Sequence, residues 1–121
     1  MSQGNSLTIA VEKRDGFAVI RVEGRVIREN QARLRAELET LVLDGTPNIA
    51  LDLKQVQYMD SSGLGCFSSV EKFLQDRGSG HLAVFGASSN VEKTWRMIRL
   101  DLVIPLFAKE EEAVAWLANP S

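Results

Sequence analysis

Hydrophobic residues in this chain switch period repeatedly, and that switching limits what it can fold into more than any other feature. "LTIAVEK" alternates Leu7, Ile9 and Val11 against Thr8, Ala10 and Glu12, a period of two that specifies a strand with one buried face. "RDG" turns the chain at Arg14 to Gly16. "FAVIRVEG" then repeats the alternation with Ala18, Ile20 and Val22, so the two runs predict a β-hairpin. After Gly24, "RENQARLRAELETLVLDG" sets Leu34, Leu38, Leu41 and Val42 at helical spacing, and Gly45 and Pro47 end that helix. "NIALDL" suits a short central strand, expected to end at Leu53, with "KQVQYM" carrying the chain over to the next element. Leu64, Phe67, Val70 and Leu74 restore the helical period as far as the Gly78–Gly80 loop. "HLAVFG" is a further strand, and "SSNVEKTWRMIRLD" a third helix with Ser89 as its cap and Val91, Trp95 and Ile98 on one stripe. A short strand is expected near Ile104–Phe107. "EEEAVAWL" is a last helix, with Glu110, Glu111 and Glu112 in its first turn, where the helix dipole favours negative charge. Strand–helix alternation after a hairpin predicts an α/β fold. Its sheet is small and mixed, the N-terminal hairpin plus parallel strands, flanked by about four helices.

The chain has 121 residues, the size of one domain with its own core, so residues 1–121 are read as a single domain with 1–6 as a flexible tail. A net charge of −2 lacks the basic footprint of a nucleic-acid binder, so no direct nucleic-acid contact is expected. "MSQGNS" has no basic start with an apolar stretch behind it, and no apolar run approaches a membrane span. A cytoplasmic protein without membrane insertion is expected, and nothing asks for more than a monomer. Catalytic resources are thin. His81 is the only histidine and Cys66 the only cysteine, so neither a histidine-based metal cluster nor a Cys/His pair is expected. His81 reads as a polar residue at a strand edge and Cys66 as a small packing residue. No cofactor is expected.

Between the central strand and the second helix lies "MDSSGLG", residues 59–65. Asp60, Ser61 and Ser62 are all good helix caps, and the helix is expected to begin near Ser62 or Gly63. Gly63 and Gly65 lack a Cβ, so other backbone or a docking protein can come close. A helix N-terminus is also an anion site, with free N–H groups and a partial positive charge. A phosphate on Ser61 or Ser62 would add about −1.5 to −2 charge beside Asp60 without unfolding the chain. Catalytic motifs fit worse: there is no G-x-S-x-G elbow, and no Walker lysine follows a matching glycine pair. "GLGCFS" only begins like a dinucleotide fingerprint.

"IALDLKQVQYMDSSGLG" resembles the signature of the STAS domain, specifically of anti-sigma factor antagonists, through Val56, Met59, Asp60, Ser61, Ser62, Gly63, Leu64 and Gly65. "FAVIRVEGRV" and "LAVFGASSNVEKTWRMIRLDLVIPLF" resemble the family's second strand and its last strand–helix–strand section. The resemblance implies a sheet with helices on one side and a phosphoacceptor at Ser61. It further implies that an anti-sigma factor with serine-kinase activity phosphorylates Ser61 and a PP2C-type phosphatase reverses this. The unphosphorylated form would bind the anti-sigma factor and free the sigma factor. Asp60, Ser62 and Gly63 would line the contact surface beside Ser61. Two places depart from the pattern. Ile27 stands where the family often has Asp and is expected to extend an apolar docking patch. Arg99 stands where a Gly usually gives a left-handed cap.

Two other readings compete with the switch. In one, the chain is a STAS scaffold or regulatory subunit, as in stressosome or transporter-associated relatives, and works by docking without a phosphate. In the other, Ser61 is an enzyme's nucleophile, for which no base is recognisable. The expected role is therefore a binding module, not an enzyme.

Overall fold

A computed structural model of the chain describes residues 6–120. Its elements are β1 (Leu7–Arg14), β2 (Phe17–Val26), α1 (Gln31–Leu43), β3 (Asn48–Met59), α2 (Ser61–Arg77), β4 (His81–Phe85), α3 (Ser89–Met97), β5 (Leu106–Phe107) and α4 (Glu110–Ala118), with a 3-10 turn at Leu100–Leu102. The expected tail lies outside the described residues except for Ser6, whose carbonyl accepts the Arg25 N–H at 3.4 Å.

The five strands pair in chain order, β1 antiparallel to β2 and each later neighbour parallel. The crossovers through α1, α2 and α3 therefore all step in the same direction across the sheet. Right-handed crossovers stepping one way put their helices on one face. Leu34 and Leu38 of α1, Phe67 and Val70 of α2, and Trp95 of α3 pack there over Ile20, Leu51 and Val84. α4 follows the last strand, so no crossover rule binds it, and it covers the opposite face. Its Ala113 and Leu117 sit on Val19, Ala50, Ala83 and Phe85. Helices on one side thus describes α1–α3 and is corrected for α4. The reason is in the strands: "FAVI" and "LAVF" are apolar on both faces, so both faces need cover.

A polar pin holds the start of α4 to the sheet. Arg21 donates to Asp52 at 2.9 Å, to Glu110 at 3.2 Å and to Glu12 at 3.1 Å. Asp52 is buried, and burial alone would push its carboxyl up. The Lys54 N–H and ammonium, together with Arg21, outweigh that and hold it below the usual range. Glu112 turns back to accept the N–H groups of Ala108 and Lys109. The acidic run is thus a helix start, as its position implied.

Several boundaries differ from expectation. β3 does not stop at Leu53 but runs on to Met59. Ser88, not Ser89, caps α3, its hydroxyl accepting the Val91 N–H at 3.3 Å. Ile98 lies beyond the last turn of α3 and is 51% exposed, so only Val91 and Trp95 form the buried stripe. Val11, expected on the buried face of β1, is also exposed. Arg99 keeps the left-handed geometry without glycine, at φ 62° and ψ 25°. Among the described residues it is the only non-glycine with positive φ. That conformation costs an arginine about 1 kcal/mol. Arg99→Gly is accordingly expected to raise the melting temperature by about 3–5 °C. A melting temperature at or below that of the unchanged chain would mean that the arginine side chain holds the turn.

Candidate functional site

Pairing of β3 with β4 ends at Asp52↔Phe85, whereas pairing with β2 continues to Val26↔Met59. The last turns of sequence in β2 and β3 thus form a two-stranded ribbon that projects past the sheet. Register shifts after Arg21 and Gly24 bend it. "KQVQYM" is the outer arm of this ribbon, which is why strand and helix meet with no loop between them.

Asp60 joins the two. Its backbone N–H donates to the Val26 carbonyl at 3.2 Å, closing the ribbon. Its side chain caps α2, accepting the Gly63 N–H at 2.8 Å, and also accepts the Arg28 N–H of the β2–α1 loop at 3.0 Å. Desolvation is the largest single influence on this carboxyl and raises its pKa. The N–H groups of Gly63, Arg28 and Ser62, with the Arg28 charge, outweigh it and hold the carboxyl below the usual carboxylate range. Asp60 is therefore ionised at neutral pH. A depressed carboxylate stabilises the fold fully above its unfolded pKa, about 3.9, and loses that contribution as pH falls through the lower folded value. Asp60→Ala is expected to cost about 2 kcal/mol near neutral pH, the upper end for a cap because a second segment hangs on it. Denaturant titrations of both proteins check this: the gap should close below pH 4, and a gap that persists in acid would refute the charged cap.

The helix begins one residue before the expected place. Ser61 is its first residue and is exposed; Ser62 is half-buried, and Gly63 is buried. Among the described residues no side-chain or backbone partner holds the Ser61 hydroxyl, so it is presented to solvent at the positive end of a 17-residue helix. Gly63 packs on Val26, where a Cβ would lie 2.9 Å from the carbonyl carbon, while nothing lies within 4 Å of one at Gly65. Gly63 thus lets backbone approach backbone, the first of the two roles expected of these glycines, and space stands open around Gly65. Ile27 is only 8% exposed, so the apolar patch expected of it is not on the surface. The exposed apolar surface lies elsewhere. A groove between the ribbon and α3 is lined by Tyr58, Met59, Leu64, Val91, Thr94 and Met97, with Tyr58 and Met97 exposed. Sequence periodicity missed it because it joins residues from three elements.

Catalysis has little to work with here. His81 opens β4 opposite Asn48, at the far end of the strand that Ser61 follows. Eleven residue steps along β3, at about 3.3 Å each, separate the two by roughly 35 Å. The histidine cannot act on that serine. Burial pushes the Cys66 thiol up to about 12, so it is an inert packing group. Sheets in simple chain order with one-way crossovers also lack the switch point where α/β folds bind nucleotides. No group of three or more metal-ligating side chains occurs among the described residues. No helix among them is long and apolar enough to cross a membrane.

A small mixed sheet with three same-side crossovers and a serine-bearing helix start after its central strand defines a single α/β module, and comparison places it in a family. The STAS domain family model matches residues 8–113, and the chain belongs to that family. It is 28% identical over 113 residues to the anti-sigma F factor antagonist of Paenibacillus polymyxa, covering 93% of this chain and 96% of that one. An anti-sigma factor antagonist from Mycobacterium paratuberculosis superposes with a TM-score of 0.86 at 24% identity, covering 98% of this chain and 100% of that one. The Bacillus cell fate determinant SpoIIAA in its phosphorylated form superposes with a TM-score of 0.70 at 24% identity, covering 89% and 97%.

Proposed function

We propose that this chain is an anti-sigma factor antagonist controlled by phosphorylation of Ser61. Unphosphorylated, it binds an anti-sigma factor with serine-kinase activity and so releases the sigma factor. Phosphorylated, it lets go, and a PP2C-type phosphatase resets it. The chain carries out no catalysis of its own. The observation that carries this reading is the free Ser61 hydroxyl on the first turn of α2, next to the Asp60 cap. A phosphate there gains from the helix dipole and leaves the fold alone, while the surface changes from a hydroxyl to about −1.5 to −2 charge. Asp60, Ser62 and Gly63 frame the contact, and the groove toward Met97 extends it. The names of its relatives support the antagonist role.

The test is partner affinity of Ser61→Ala and Ser61→Asp, with intact mass of the protein from its own cells before and after phosphatase. Ser61→Ala should bind constitutively and Ser61→Asp at least about tenfold more weakly, with one phosphate mapping to Ser61. Equal affinity and an unmodified Ser61 across growth and stress conditions would leave a STAS scaffold that docks without a switch.

A further inference from the structure

We infer that Arg28 selects the partner, and that the partner sets a carboxylate beside Ser61. This rests on the antagonist reading above and supplies the chemistry of its contact.

The loop between β2 and α1 is unusually well tied for an exposed segment. Asn30 accepts the Ile27 N–H on its Oδ1 at 3.0 Å and donates from its Nδ2 to the Arg25 carbonyl at 2.8 Å. The N–H groups of Asn30 and Gln31 both reach the Ile27 carbonyl, at 3.0 and 2.8 Å. Arg28 then donates its own N–H to the Asp60 carboxylate, which places its backbone beside the cap residue that precedes Ser61. Its guanidinium is left outside. The side chain is 80% exposed, and among the described residues its one ion pair is with Glu29, at 3.7 Å, itself 52% exposed, while its charge also acts on the Asp60 carboxylate. So loose a surface pair holds little. The result is a fixed stem carrying a cation free to receive a new partner.

The surrounding charges lean the same way. The Arg25 guanidinium lies over the Tyr58 ring, 5.0 Å from its centroid, and Lys93 borders the groove beyond. Glu29 and Asp60 are the anions nearby, and the Asp60 charge is turned inward onto three backbone N–H groups. Arg25, Arg28 and Lys93 thus stand against Glu29 and an inward-turned Asp60, a small positive excess that favours an approaching carboxylate and speeds its association. A phosphate on Ser61 would set a dianion next to Arg28 and reverse the local sign. The carboxylate that was drawn in is then repelled. Arg28 thereby turns a single added phosphate into a change of both attraction and repulsion.

The probe is the anti-sigma protein that Ser61→Ala retains from its own cells, identified by mass spectrometry and then produced pure. Its association and dissociation rates are measured at low and high salt against the unchanged chain and Arg28→Ala, Arg28→Lys and Arg28→Glu. Arg28→Glu should slow association about tenfold at low salt, Arg28→Ala less, and Arg28→Lys little. Salt sensitivity should shrink in the same order. A partner carboxylate changed to lysine should restore the Arg28→Glu protein. Undiminished association of Arg28→Glu would overturn the inference, and faster association would mean that the partner presents a cation. Ser61→Asp in the same titration keeps the two ideas apart. If it binds like Ser61→Ala, the phosphoswitch fails whatever Arg28 does; if it binds weakly while Arg28→Glu is normal, only the role of Arg28 fails. If no such protein is retained, both fall.

Discussion

Gly63→Ala is expected to destabilise this protein by about 3 kcal/mol, far more than one methyl group on a helix normally would. A Cβ there would stand well inside contact distance of the Val26 carbonyl oxygen, 2.9 Å from its carbon and 3.1 Å from Val26 Cγ1. Backbone cannot swing aside as a flexible side chain can. That carbonyl also accepts the Asp60 N–H, so any relief by lifting α2 pulls open the end of the β2–β3 ribbon. The cap, the ribbon and the Ser61 position would all move together. Gly65→Ala is the control, two residues along the same helix with open space around its Cβ. It should stabilise the chain by about 0.5–1 kcal/mol, because glycine inside a helix is entropically poor. Equilibrium denaturation of the two variants reads this contrast directly. If Gly63→Ala unfolds at the same denaturant concentration as the unchanged chain, the close approach of α2 to Val26 is wrong. A Gly65→Ala protein that is more stable yet binds its partner less well would place that partner against the helix start.

Why some of this was legible in the sequence and some was not follows from the range of the interactions concerned. Strand and helix periods are local, so the hairpin, the parallel strands and all four helices could be read from Leu7, Ile20, Leu34, Phe67 and their repeats. Cap positions depend on one hydrogen bond, and adjacent serines compete for it. Ser89 was the expected cap and Ser88 took the role, just as α2 began at Ser61 and not a residue later. The second half of β3 was hidden for a different reason. "KQVQYM" pairs on one side only and exposes Gln57 and Tyr58, so it lacks the continuous apolar signal of "IALDL". The face covered by α4 was in principle readable. Val19, Ala50 and Ala83 are small or apolar residues that interrupt a strict in–out alternation, and they need a second cover. Arg28 was not legible. Its importance depends on a backbone N–H reaching Asp60, a residue 32 positions away. Ile27 misled for the complementary reason: hydrophobicity alone does not say whether a loop residue is exposed or, as here, buried.

Trp95 anchors α3 and with it one wall of the groove, and its loss should be the second large effect. The side chain is fully buried, its ring meets Phe67 of α2 at a centroid distance of 5.3 Å, and its Nε1–H donates to the Ile104 carbonyl at 3.0 Å. One residue thus ties together α2, α3 and the segment leading into β5. Trp95→Ala should cost about 3–5 kcal/mol, a large part of the roughly 5–15 kcal/mol that holds a domain of this kind together. Trp95→Phe separates the two contributions. It keeps much of the apolar contact but leaves the buried Ile104 carbonyl without its donor, and should cost about 1–3 kcal/mol. Thr94 and Met97 flank Trp95 on the same helix and line the groove, so the milder variant should also weaken partner binding while the chain stays folded. Trp116, the other tryptophan, is half-buried on α4, and a Trp116→Phe background leaves Trp95 as the sole indole reporter of unfolding. In that background the phenylalanine and alanine variants are followed by circular dichroism, since neither retains an indole. Should Trp95→Ala cost no more than Trp95→Phe, packing against Phe67 would count for little and the indole hydrogen bond would be what seats α3. The larger loss for alanine is expected, because it removes both the packing on Phe67 and the hydrogen bond to Ile104, whereas phenylalanine removes only the second.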